Sequence, residues 1–111
     1  MEVKIFYGYP GTGKTYFSEE VKKIVRFFGK ETKTYSYSEN IILRIVIDVF
    51  KQRYKFIVID ECYNVDFVCF IEELTKELDN IDKSLKGNIM IIFITQETPS
   101  ETLPFGLIHF Y

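Results

Sequence analysis

The chain has 111 residues, 47% of them hydrophobic and 17% aromatic, enough for one core and read as a single domain over residues 1–111. A formal net charge of −2 supplies no global basic field for nucleic acid or an anionic membrane. Two cysteines, Cys62 and Cys69, and one histidine, His109, exclude a disulfide-dense secreted scaffold and give too few ligands for a zinc site.

Both cysteines are expected to be buried thiols in a reducing compartment. No apolar run approaches the ~20 residues of a membrane helix, and no signal peptide precedes the first strand pattern. A cytoplasmic location follows as an expectation.

Residues 3–7 read as a first strand, stopped by Gly8. A glycine-rich loop comes next, then a helix with Phe17, Val21, Ile24, Val25 and Phe28 at helical spacing and Gly29 as its stop. Lys22, Lys23, Arg26 and Lys30 crowd that helix, where a solvated face is the plainest reading. Residues 32–37, rich in β-branched and aromatic side chains, read as a second strand.

Ser38 is placed to cap a second helix with an apolar face of Ile41, Ile42, Ile45, Val46, Val49 and Phe50. Residues 56–59 form an apolar run that ends in Asp60-Glu61 and read as a buried third strand. Asp66 is placed to cap a third helix, whose stripe is Phe67, Ile71, Leu74, Leu78, Ile81 and Leu85. Gly87-Asn88 makes a turn, residues 89–95 a fourth strand and residues 107–111 a fifth.

Strands alternating with helices imply right-handed crossovers and a mainly parallel sheet. The expected fold is α/β, a three-layer sandwich of five strands flanked by about three helices. In such a sheet ligands bind at the carboxyl ends of the strands. Gly8 to Thr15, Asp60-Glu61 and Thr95-Gln96 all fall at predicted strand ends, so the topology can bring them together.

Gly8-Tyr9-Pro10-Gly11-Thr12-Gly13-Lys14-Thr15 matches the pattern G-x-x-x-x-G-K-[ST] in full. The glycines let the loop curl so that backbone N–H groups point at phosphates. The helix that follows adds free N–H groups and its positive dipole end. Lys14 is expected to reach the β and γ phosphates and Thr15 to offer a hydroxyl to magnesium. Tyr16 completes the nucleotide-binding stretch. Asp60 would join the magnesium shell, and Glu61 would orient and polarise a water for attack on the γ-phosphate. Gln96, with Thr95 as second choice, would stand between that water and the phosphate. The implied ligand is ATP with magnesium.

At these residues the chain resembles P-loop NTPases of the additional-strand, catalytic-glutamate division, with an AAA+ or RecA-like core. That resemblance implies the sheet order 5-1-4-3-2. Three stretches (Gly8 to Thr15, Val58 to Cys62, and Ile92 to Gln96 with Pro99) and the terminal Ile108 to Tyr111 are similar to zonula occludens toxin-like assembly ATPases of filamentous phages. This implies a viral protein in a host cytoplasm. Relative to AAA+ proteins, residues 97–106 replace a helix and contain no arginine, and no helical lid is expected within residues 1–111. The arginines are Arg26, Arg44 and Arg53, none in a finger motif. A homo-oligomer or a partner protein is therefore expected to supply an arginine finger. The implied function is ATP hydrolysis driving nucleic-acid or virion and protein assembly work, with nucleic acid as a candidate partner. Two alternatives stay open: a nucleotide-dependent binding module with little turnover, and a small-molecule (nucleotide) kinase, which would need a basic lid.

Overall fold

The computed structural model describes residues 1–8, 23, 31–100 and 102–110. Five strands form one sheet: β1 (Glu2–Gly8), β2 (Thr32–Ser36), β3 (Phe56–Cys62), β4 (Met90–Thr95) and β5 (Gly106–Phe110). Every pairing is parallel, in the order β2-β3-β4-β1-β5. This is the expected 5-1-4-3-2 arrangement read from the other edge. Helix α1 (Ile41–Gln52) joins β2 to β3, and helix α2 (Phe67–Ile81) joins β3 to β4. These are the two α-helices whose bounds lie among the described residues. Of the helix expected after the glycine-rich loop only Lys23 is described, and it is helical and exposed.

Both connections step across the sheet in the same direction. As right-handed units they must lie on the same face. Accordingly α1 and α2 share one core with Ile5, Ile57, Ile59, Ile91 and Phe93. The alternation of strand side chains sends Val58, Ile92 and Ile94 to the opposite face, where Phe6 and Met90 pack beside them. β4 is buried from Ile91 to Thr95, as a central parallel strand covered on both faces must be. Phe93 anchors the helical side. Its ring meets Phe67 at 4.9 Å and Phe70 edge-on at 5.4 Å between centroids.

Local details differ from the sequence reading in five places. Ser38 does not cap α1: the helix starts after a turn at Glu39-Asn40, and Asn40 is the capping residue without a side-chain bond. Ser38 contributes its backbone carbonyl to Ile41 N–H instead. Phe50 is 45% exposed rather than core, because it falls one step past the stripe of Ile41, Ile42, Ile45, Val46 and Val49. The α2 stripe stops early, since the helix ends at Ile81, itself exposed, and Leu85 is buried from a separate 3-10 turn, Leu85–Asn88. Phe70, absent from the stripe as read, is buried in place of Ile71, which is half-buried. Finally, Cys69 is exposed. It sits on the side of α2 opposite Phe67, Phe70, Leu74 and Leu78, whereas Cys62 is buried as expected. The Asp66 cap stands: its carboxylate accepts from Cys69 N–H at 3.1 Å.

Candidate nucleotide site at the carboxyl edge of the sheet

Parallel strands deliver their carboxyl ends to one edge. Here β4 lies between β3 and β1, and Thr95 pairs with Tyr7 on one side and Cys62 on the other. Gly8, Asp60-Glu61 and Thr95-Gln96 are thereby brought to the same edge, as expected from the topology. Gly8 is buried at the end of β1. Tyr9, Pro10, Gly11, Thr12, Gly13, Lys14, Thr15 and Tyr16 lie outside the described residues.

The end of β3 is irregular. Ile59 pairs with Phe93, but the next pair is Cys62 with Thr95. Three steps on β3 therefore match two on β4, so the strand carries one extra residue. This bulge contains Asp60 and Glu61. Glu61 takes a left-handed backbone, φ 56°, which costs a non-glycine residue about 1–3 kcal/mol. Bulges in parallel pairs are rare and re-aim side chains beside functional sites. The Glu61 N–H donates to Asp60 Oδ1 at 2.7 Å, and the Asp60 carbonyl accepts from Tyr37 N–H at 2.9 Å. Glu61 is exposed and Asp60 half-buried.

Burial pushes the Asp60 carboxyl above its usual range; the neighbouring Glu61 charge adds to this, and the Glu61 N–H opposes it. A partly desolvated carboxylate beside a second one is stabilised by a cation. Hard divalent ions take oxygen donors, and magnesium needs one or two carboxylates beside phosphates and water. Asp60 fits that donor set. No group of three or more His, Cys, Asp or Glu placed to hold a metal occurs among the described residues. Any ion here would rely on ligands beyond such a cage.

Thr95 is 2% exposed. Its hydroxyl donates to the Cys62 carbonyl at 2.8 Å and accepts from Glu97 N–H at 3.1 Å. Gln96 follows it, half-buried. Glu97 then reaches back: its Oε2 accepts from Asn64 N–H at 3.0 Å. Asn64 is left-handed as well, φ 53°, a conformation asparagine tolerates better than most residues. Cys62 donates its thiol to the Ile59 carbonyl at 3.3 Å, and burial pushes that thiol up to about 12. At neutral pH it remains a protonated packing group, not a nucleophile.

Sequence reasoning missed Glu97, Asn64 and the bulge. The Thr95-x-Glu97 spacing is a legible signal, since a threonine hydroxyl commonly accepts the N–H two residues on. The Asn64 contact bridges separate loops and has no local signature. Arg53 caps the far end of α1, its guanidinium 5.6 Å from the Phe50 ring centroid. α1 runs from the carboxyl edge back to the amino edge, so Arg53 sits away from this site.

An all-parallel sheet in this order, with an acidic pair ending β3 and a polar end on β4, is the core of a P-loop NTPase. The chain belongs to the AAA family: the family described as "ATPase family associated with various cellular activities (AAA)" matches residues 4–108. No curated protein matches the chain. Among solved structures it is similar to PCH-2 of C. elegans, with a TM-score of 0.47 and 13% identity over 96% of this chain and 35% of that one. The chain thus spans about a third of that neighbour's length. No helix among the described residues is long and apolar enough to cross a membrane.

Proposed function

We propose that the chain binds ATP with magnesium at this carboxyl edge and hydrolyses it to ADP and phosphate. The observation that carries the reading is the register through Thr95, which sets the end of β1 and the acidic bulge of β3 on either side of β4. Gly8 opens a phosphate loop in which Tyr9, Pro10, Gly11, Thr12, Gly13 and Tyr16 cradle the phosphates. Lys14 neutralises the β and γ phosphates. Thr15 and Asp60 hold magnesium, which supplies charge neutralisation on the phosphate oxygens when bound. Glu61 sits exposed at the edge and orients and deprotonates the attacking water. Gln96, on the adjacent strand end, contacts water or phosphate. Thr95 has its hydroxyl engaged on both sides, and its part is to hold the strand ends in place.

An arginine finger from another copy or from a partner protein completes the site. Such a residue contributes about 10³–10⁵ in rate in related systems, so the isolated chain turns over slowly. The work driven is assembly or movement of a polymer, nucleic acid or virion protein. The decisive variant is Glu61→Gln, which keeps size and hydrogen bonding but removes the base. It should lower phosphate release about 10²–10⁴-fold and leave Mg-ATP affinity within about twofold. Equal loss of affinity and turnover would refute the role given to Glu61.

A further inference from the structure

The bulge that presents Asp60 and Glu61 needs both of its ends held. Its amino side is fixed by the regular ladder, ending at Ile59 opposite Phe93. Its carboxyl side is held differently. The Cys62 carbonyl receives the Thr95 hydroxyl, and the Asn64 N–H is received by the Glu97 carboxylate. Glu97 and Thr95 are themselves joined, N–H to Oγ1. One continuous chain of three hydrogen bonds therefore runs Cys62–Thr95–Glu97–Asn64. It straddles Tyr63 and grips the segment immediately after Glu61.

We propose that the Glu97 carboxylate, through the Asn64 N–H, and the Thr95 hydroxyl, through the Cys62 carbonyl, are positioning groups that together pin the β3 bulge and so aim Glu61. The inference rests on the hydrolase reading above for its kinetic consequence, though not for its geometry. A strand with an extra residue can return to ordinary pairing by a one-residue slip, which would turn side chains to the other face. Two left-handed residues, Glu61 and Asn64, mark the segment as one that would relax if released. The pin opposes that relaxation with an anionic acceptor on a backbone N–H, a bond stronger than a neutral one. Glu97 need not touch nucleotide to do this.

The test compares wild type with Glu97→Ala and Glu97→Gln, and Thr95→Val with Thr95→Ser, in the full chain. Three quantities are read: hydrogen exchange at the Asn64 amide, Mg-ATP affinity, and turnover. Glu97→Ala should speed Asn64 exchange about tenfold or more. It should lower kcat by about tenfold while affinity stays within about twofold, a misplacement effect. Glu97→Gln retains an acceptor oxygen and should recover most of both. Thr95→Ser should likewise outperform Thr95→Val. The proposal is overturned if Glu97→Ala exchanges like wild type, or if Gln is no better than Ala. Loss of affinity in step with turnover would also overturn it. Should the wild-type chain show no turnover, the hydrolase reading fails, and the pin stands or falls on the exchange data alone.

Discussion

The two halves of β3 follow different rules. Residues 56–59 pair in regular register on both sides and are apolar, with Ile57, Val58 and Ile59 fully buried. Residues 60–62 break register against β4, hold a left-handed glutamate and keep a carboxylate partly out of water. The first half is what a stable sheet requires. The second accepts strain and desolvation that a sheet built only for stability would lack. The contrast teaches that truncating the apolar half should cost stability, whereas relieving the strain at Glu61 or the desolvation at Asp60 should add to it.

The largest effect belongs to the stable side. Phe93, fully buried against Ile59, Phe67 and Phe70, should cost about 3–5 kcal/mol when changed to Ala, read by urea unfolding. Loss of the α2 cap through Asp66→Ala should cost about 1 kcal/mol in the same assay. On the strained side, Glu61→Gly should stabilise the nucleotide-free chain by about 1 kcal/mol, since glycine accepts the left-handed backbone at no steric cost. If Glu61→Gly were destabilising, the strain at the bulge would be disproved.

The smallest effect is a pH dependence. The folded chain holds the Asp60 proton more tightly than the unfolded chain does, because burial raises that carboxyl. Its contribution is therefore fully present below the ordinary carboxylate value and is lost as pH rises through the raised one. Asp60→Asn removes this loss. Relative to wild type, the nucleotide-free variant should gain stability as pH rises out of the ordinary carboxylate range and through the raised one, while magnesium-dependent ATP binding weakens. A variant whose stability tracks wild type across that range would show that Asp60 is not desolvated.

Most of the sheet was legible because burial on both faces writes continuous apolar runs, as in residues 56–59 and 89–94, and strands alternating with helices imply parallel pairing; the strand order itself came from the family resemblance. The meeting of Gly8, Asp60-Glu61 and Thr95-Gln96 was expected from the parallel pairing, which delivers every strand's carboxyl end to one edge. Helix edges were less legible. Phe50 and Ile81 continue an apolar period beyond the surface that buries it, and periodicity carries no mark of where the partner surface ends. The bulge was illegible in principle. It is a mismatch between two strands far apart in sequence, and nothing within Asp60-Glu61-Cys62 announces an extra residue. Glu97 read as a loop acid for the same reason, since its partner Asn64 lies on another loop.

The central claim, that this carboxyl edge is a nucleotide site, is tested most directly by thermal unfolding with and without Mg-ATP. At 100 times Kd the ligand should stabilise the fold by about 2.7 kcal/mol, raising the midpoint by more than ~5 °C in a domain of this size. The shift should vanish in Lys14→Ala. No shift with Mg-ATP or any other nucleoside triphosphate would contradict the account.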